Sequence, residues 1–225
     1  MLLKFPRFLI IGMLPAAFSA SFWSLPASSQ SLPIDIPPQI RSSPTLQKWL
    51  RSVPNIQQDI TNDPSFKTRV RLGYTRFTQG NTDGLSLGVE DLRIGSTPVT
   101  LSTSYNASRA DSSWGIDVQP YLLPLGGYFN IAPVVGIRSL STSTTQTTGL
   151  HLGARLLVVP SRGGGADVTI QQTWTAIGTD REVGVGKISI GYAIAPKLRL
   201  ATDLERWQGR SVFETRASLL IEWMP

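Results

Sequence analysis

The single histidine is the first residue to test for chemistry, because histidine is the side chain that most often transfers protons in enzymes. In this sequence of 225 residues it is His151, so a Ser–His–Asp triad or a multi-histidine zinc site would depend on it. It shares one face of a predicted strand with Arg155, and Asp167 lies on the next strand. No serine has the turn context of a nucleophile elbow. We therefore expect His151 to line the interior of the fold, and a barrel hydrolase that uses His151 is the alternative.

Other catalytic and cofactor-binding motifs are missing from the sequence. It contains no cysteine, which excludes disulfides, thiolate chemistry and cysteine-based metal sites. Residues 184–189 resemble a phosphate-binding loop, but Arg181 stands where that motif requires glycine and Ile188 where it requires Ser or Thr. We therefore predict a protein that is not an enzyme, with no catalytic residue, no cofactor and no bound metal.

Charged side chains of both signs recur at alternate positions of the predicted strands, which places them on one face. An unpaired ion in a narrow interior is costly, so such charges must pair or be hydrated. We interpret them as paired charges that fill a barrel lumen, with a charged constriction in a solute pore as the alternative. The predicted lumen-lining residues are Arg69, Arg71, Glu90, Asp117, Arg138, His151, Arg155, Asp167, Lys187, Arg199, Asp203, Glu205, Glu214, Arg216 and Glu222.

From Lys67 onward, apolar and polar residues alternate with the period of two that is typical of β-strands. The pattern predicts an all-β fold, an antiparallel up-and-down transmembrane β-barrel of about ten strands. The predicted strands are 67–77, 84–94, 98–107, 112–122, 127–139, 148–159, 165–177, 182–193, 196–206 and 211–224.

The last predicted strand shows the two faces most clearly. Phe213, Leu219 and Trp223 lie on an apolar face, whereas Glu214 and Arg216 lie on a polar one. A soluble barrel buries its apolar face, and a membrane barrel exposes that face to lipid. Across the strands, the polar face combines small residues with charges of both signs, as in a crowded interior, so we favour the membrane barrel. The alternative is a secreted soluble barrel that binds an apolar ligand.

Aromatic residues gather near both ends of the predicted strands, as two membrane–water interfaces select. Trp207 is expected near the outer ends, while Phe77, Tyr121 and Tyr128 fall on the inner phase. The predicted membrane-interface aromatics are Tyr105, Trp114, Phe129, Trp174, Tyr192, Phe213 and Trp223.

The connections between the predicted strands alternate in character. The first, third and fifth are polar and longer, such as 141–148, and the second, fourth and eighth are tight, such as 195–196. Outer-membrane barrels have long outer loops and short periplasmic turns. We therefore expect the odd-numbered connections outside the cell and both ends of the barrel segment on the periplasmic side.

The N-terminal region predicts export. Lys4 and Arg7 flank the start of an apolar stretch that is too short to cross a bilayer as a helix. We predict a signal peptide at 1–29, and the alternatives are a cleavage site near residue 19 and an uncleaved N-terminal anchor. Residues 30–66 then form a linker with a short periplasmic helical segment, and 67–225 form the barrel.

The net charge of +6 permits binding to anionic lipid or to nucleic acid. The basic residues are spread along the strands and form no patch, so nucleic acid is not an expected partner. Outer-membrane lipid is the expected partner, and the sequence predicts no oligomeric state.

The signal peptide, the strand alternation and the last strand with Trp223 near its end resemble the small bacterial outer-membrane β-barrel proteins. Residues 62–74 and 191–192 resemble uncharacterised barrels of this kind from cyanobacteria. The resemblance implies a location in the outer membrane and recognition of the last strand by the barrel-assembly machinery, although Met224 and Pro225 follow the aromatic that usually ends it. Such barrels have many activities. We expect a structural role or a narrow solute pore.

Overall fold

A computed structural model of the protein describes residues 43, 44, 47, 63–210 and 212–225. The predicted signal peptide lies outside these residues, and so does most of the predicted helical segment, so the predicted domain boundaries there stay predictions. The chain divides into two units, 1–53 and 54–225. In the first unit, the Gln47 amide donates a hydrogen bond of 3.0 Å to the Ser43 carbonyl. No helix in the described part of the chain is long and apolar enough to cross a membrane.

The described part of the second unit forms one closed antiparallel sheet of ten strands. They are β1 (Arg69–Phe77), β2 (Thr82–Arg93), β3 (Val99–Ser108), β4 (Ser112–Pro120), β5 (Phe129–Ser141), β6 (Gln146–Ser161), β7 (Ala166–Thr175), β8 (Val183–Ala195), β9 (Leu198–Gly209) and β10 (Phe213–Trp223). Each strand pairs with its neighbours in sequence, and β1 pairs with β10 to close the barrel. The prediction of an all-β, up-and-down barrel of ten strands is confirmed.

The barrel carries apolar side chains outside and polar side chains inside. In β10, Phe213, Leu219 and Trp223 are at least half exposed, while Glu214 and Arg216 are buried. Successive residues of a strand point to opposite faces, so the alternation in the sequence becomes an alternation between exterior and lumen. An exterior of exposed aliphatic and aromatic side chains is the arrangement of a barrel that spans a membrane.

The aromatic residues follow this division with two exceptions. All seven predicted membrane-interface aromatics lie on the exterior, from 42% exposed for Trp114 to 66% for Tyr192. Tyr128, predicted on the inner phase, is 63% exposed, because it lies in the connection before β5, where the alternation no longer holds. Trp207, predicted among the outer-end aromatics, is fully buried. The strand β9 continues past the predicted end at residue 206, so the alternation places Trp207 inside.

The predicted contrast between long outer connections and short periplasmic ones is wrong. The longest connection between the described strands is 121–128, at the end of the barrel predicted to be periplasmic. The third and fifth connections shorten to 109–111 and 142–145. The Ser, Thr and Gln residues on either side of these connections belong to the strands and pair with each other, as Ser141 does with Gln146. Connection length therefore does not orient this barrel.

Two buried apolar clusters lie inside the barrel, one near each end of the lumen. The terminal rim is the end at which β1 begins and β10 ends, and the opposite rim is the other end. The terminal cap, inside the terminal rim, consists of Phe66, Tyr121, Leu125, Ala132, Leu157 and Val159. The opposite cap consists of Phe77, Leu140, Val183, Val185, Trp207 and Val212. Each of these residues is at most 4% exposed.

Candidate functional site

The lumen between the two caps is filled by paired charges. A large ion-pair network is built by seven of the described strands. It joins the cations Arg69, Arg71, Arg155, Lys187 and Arg199 to the carboxylates Glu90, Asp91, Asp167, Asp203 and Glu222. Five positive charges meet five negative ones, so the network is neutral as a whole. Neutrality matters because an uncompensated buried ion is strongly destabilising.

Arg71 joins several carboxylates in this network. Its guanidinium lies 2.7 Å from Asp203 and 3.2 Å from Glu90, and its Nε lies 2.8 Å from Glu222. Lys187 approaches the same Asp203 carboxylate at 3.0 Å. Side chains from β1, β2, β8, β9 and β10 thus meet in the middle of the lumen, and their contacts hold the barrel wall together across its interior.

Asp91 belongs to this network, although strict alternation of the strand places its side chain outside. Alternation places Glu90 inside and its neighbour Asp91 outside, but the register of β2 with β3 shifts between Val89 and Leu92. Asp91 has a φ of 57°, and this irregularity turns both carboxylates inward. Arg155 makes two contacts with Asp91, at 3.0 and 3.1 Å. Two adjacent acidic residues within an otherwise alternating strand are the sequence signal for such a bulge.

A small ion-pair network lies between the large network and the opposite cap. Arg138 lies 3.3 Å from Asp117 and 3.7 Å from Glu205. Arg216 lies 2.7 Å from the same Glu205 carboxylate. Two cations and two carboxylates again balance, so the small network needs no counterion.

One side chain of each cap is hydrogen-bonded to the neighbouring network. The Tyr121 hydroxyl donates to Asp91 at 2.8 Å while its ring contacts Phe66. The Trp207 indole N–H donates to Glu205, and its ring meets Phe77 edge-on with centroids 5.9 Å apart. Tyrosine and tryptophan combine an apolar ring with a donor. Caps and networks therefore form one continuous filling of the lumen.

A small cavity lies inside the barrel. A cavity of about 40 Å³ lies among residues of both networks, including Arg71, Asp117 and Lys187. A buried water needs roughly 10–15 Å³ of such space, so the cavity has room for a few water molecules. A cavity of this size gives the described lumen little room for a solute between the two caps.

His151 lies in a setting that superficially resembles a catalytic triad. Its Nδ1 lies 2.9 Å from the Thr175 hydroxyl, and its Nε2 lies 3.9 Å from Asp117. Hydroxyl, imidazole and carboxylate are the groups that a hydrolase combines. Both His151 and Thr175 are fully buried, however, so a substrate could reach the hydroxyl only if the residues that cover it moved. The geometry therefore favours a structural histidine.

Every predicted lumen-lining residue faces the interior, although two differ from the rest. Lys187 keeps 14% of its side chain exposed. Glu214 joins neither network. Its carboxylate instead accepts hydrogen bonds from the backbone N–H groups of Gln79 at 3.0 Å and Gly80 at 3.3 Å. It thereby fixes the connection between β1 and β2. The described residues contain no group of three or more His, Asp or Glu side chains that could hold a metal ion.

Comparison with known proteins gives few matches. No protein-family model matches the chain, and no curated protein sequence matches it. Among solved structures, a KdgM porin is similar with 10% identity and a TM-score of 0.40, covering 70% of this chain and 99% of that chain. Outer membrane phospholipase A from Escherichia coli is similar with 12% identity and a TM-score of 0.34, covering 70% of this chain and 90% of that chain. The fold is therefore assigned from the barrel geometry itself, and the cyanobacterial resemblance stays a prediction.

Proposed function

We propose that this chain is an outer-membrane β-barrel of porin-like architecture whose lumen is closed to solutes, and that its role is structural. The filled interior is the observation that carries the proposal. Two buried apolar caps enclose two neutral ion-pair networks, and the cavity among them measures about 40 Å³. Large porins enclose an aqueous channel, whereas narrow barrels fill their interior with side chains.

The proposed membrane location rests on the exterior of the barrel. Leu72, Ile137 and Ile190 are each more than half exposed, and they belong to a band of exposed aliphatic side chains. Soluble monomers rarely expose apolar patches larger than a few hundred Å². A closed barrel leaves no strand edge unpaired in lipid, which suits it to the outer membrane. The predicted signal peptide and assembly by the barrel machinery are part of this proposal.

The proposed role involves no catalysis. His151 is the residue on which a hydrolase would depend, and it is sealed inside the barrel together with Thr175. A substrate would have to displace a cap and break an ion-pair network to reach them. The burial of both side chains therefore supports a structural role over an enzymatic one.

Single-channel recording across a planar lipid bilayer tests the closed lumen. We expect the folded protein to give no stable conductance steps, because the caps and networks leave no continuous path for ions. Insertion is verified by co-flotation with vesicles, and an open porin in the same bilayer serves as the positive control. Reproducible conductance steps whose frequency rises with the amount of folded protein would contradict the proposal.

A further inference from the structure

A groove runs along the outside of the barrel near the opposite rim, apart from the lumen and its networks. The exterior groove has a volume of about 640 Å³ and crosses β7, β8 and β9. The strand residues that line it include Gln172, Trp174, Gly184, Gly186, Arg206 and Gln208. The strand register places Gly186 between Gln172 and Arg206, and it places Gly184 between Trp174 and Gln208.

The two glycines create the groove, because they leave the outer face of β8 without side chains between two rows of large ones. A Cβ atom built on Gly184 would lie 3.5 Å from the Gln208 carbonyl and 3.6 Å from the Trp174 indole nitrogen. Both distances are ordinary van der Waals contacts. A Cβ atom at Gly184 is therefore accommodated without moving the strands, and a longer side chain at this position would extend into the groove.

Arg206 supplies an available cation to this groove. It is exposed on the outer face of β9, and its guanidinium lies 4.8 Å from the centre of the Phe213 ring. No carboxylate of the described residues lies within ion-pairing distance of Arg206. At the rim, Arg210 pairs with Asp180 at 3.2 Å, and both side chains are almost fully exposed. Glu182, also at the rim, accepts a hydrogen bond of 2.9 Å from the Gly178 amide.

Apolar side chains continue the groove toward the middle of the barrel exterior. Ile170, Ile188 and Leu204 form the next outward-facing row below Gln172, Gly186 and Arg206 in the strand register, and they are 45–50% exposed. Arginine, amide and indole groups therefore stand directly above a lipid-facing aliphatic surface. An amphipathic molecule that lies in the membrane matches this order of groups.

We propose that the exterior groove binds an anionic membrane phospholipid. Arg206 contacts the phosphate, since a guanidinium offers two parallel donors to phosphate oxygens. Gln172, Gln208 and the Trp174 indole offer hydrogen bonds to the remaining headgroup, and the acyl chains lie along Ile170, Ile188 and Leu204. Arg210 is paired with Asp180, whereas Arg206 has no carboxylate partner among the described residues, and this uncompensated cation favours an anionic headgroup over a neutral one.

Lipid retention measured by native mass spectrometry tests this proposal. The folded protein is released from nanodiscs that contain equal amounts of phosphatidylglycerol and phosphatidylcholine, and the bound lipids are counted. We expect the wild-type protein to retain phosphatidylglycerol preferentially. Arg206→Gln, which removes the phosphate contact, and Gly184→Leu, which fills the groove, should each lower this retention by about tenfold.

Arg76→Gln is the matched control. Arg76 is an exposed arginine on β1 that pairs with Asp83 at 3.6 Å, outside the groove, so its substitution should leave retention unchanged. Equal retention of the two lipids by the wild-type protein would overturn the proposal. The proposal would also be overturned if Arg76→Gln and Arg206→Gln lost phosphatidylglycerol equally, or if Gly184→Leu retained as much of it as the wild-type protein. The proposal requires a barrel in a membrane but not a closed lumen, so its failure would leave the conductance result unaffected.

Discussion

Asp91 adopts a backbone conformation that most residues avoid, and its contacts explain why it does so. Its φ of 57° lies in the left-handed region, which aspartate and asparagine tolerate better than other non-glycine residues. In that conformation its carboxylate reaches Arg69 at 2.6 Å, Arg155 at 3.0 Å and the Tyr121 hydroxyl at 2.8 Å. One unusual residue thereby connects the large ion-pair network to the terminal cap.

We predict that Asp91→Asn lowers the free energy of unfolding by about 3–5 kcal/mol, because it leaves buried cations without their compensating charge. Asparagine keeps the shape of the side chain and tolerates the positive φ. The decrease in the free energy of unfolding therefore measures the effect of removing the charge. Urea unfolding in phospholipid vesicles, followed by tryptophan fluorescence, measures it.

The control for this prediction is Asp83→Asn. Asp83 is exposed on β2, where it contacts Arg76 and the Tyr74 hydroxyl. Such surface pairs contribute less than about 1 kcal/mol. Similar losses for Asp83→Asn and Asp91→Asn would show that the buried network is not what stabilises the barrel.

At the scale of elements, the seam between β1 and β10 decides whether the sheet closes. Gly73 faces Leu220 across this seam. A Cβ atom at residue 73 would lie 2.0 Å from the Leu219 carbonyl oxygen and 2.7 Å from the Leu220 Cα, both backbone atoms. Only a residue without a side chain fits between the two strands at this point.

We predict that Gly73→Ala destabilises the barrel by about 1–3 kcal/mol, because the two strands must move apart to admit a methyl group. Gly184→Ala, in an open position on β8, should change the stability by less than about 1 kcal/mol. Parallel urea unfolding of both variants gives the comparison. If Gly73→Ala were as stable as Gly184→Ala, the seam would be looser than the structure indicates.

The existence of the ten strands could be predicted, but their ends could not. Alternation is a strong signal in the middle of a strand because lipid and lumen require opposite side chains. Near the rims both faces approach water, and residues such as Gln146 and Thr147 suit a strand as well as a loop. The sequence therefore left the pairing of Ser141 with Gln146 and the inward position of Trp207 undetermined.

For the lumen, alternation predicted which charges face inward but not which charges meet. Arg71 and Asp203 make contact although 132 residues separate them in sequence. Their contact depends on the closure of the barrel and on the reach of both side chains. The caps escaped prediction for the same reason, because Phe66 and Leu125 lie outside the strands and the pattern gives them no face.

At the scale of the whole molecule, a single sheet separates a polar, charged lumen from an apolar exterior. The two ion-pair networks are neutral, so the net charge of +6 is carried by residues outside them. The exterior is apolar across the band of exposed aliphatic side chains. If the protein folded in water, this apolar band would be exposed to water. In a membrane, lipid covers the band while the polar side chains pair inside the lumen.

We predict that the protein refolds only with detergent or lipid, and that its unboiled form migrates differently from its boiled form in gel electrophoresis, because a closed hydrogen-bonded sheet resists detergent. Gel mobility with and without boiling, after refolding in each condition, provides the measurement. Refolding to a monodisperse monomer in detergent-free buffer would instead support a soluble barrel with an apolar ligand.

Several ion pairs of the large network join residues that are far apart along the chain. Arg155 and Asp91 are separated by 64 residues, and Arg69 and Asp167 by 98. Loop-closure entropy opposes such contacts until the intervening chain is already ordered. Contacts between distant strands therefore depend on closure of the sheet, whereas contacts within one hairpin, such as Lys187 with Asp203, need only two strands. A half-assembled sheet gains only the contacts within its hairpins, so the contacts between distant strands reward closure of the whole barrel.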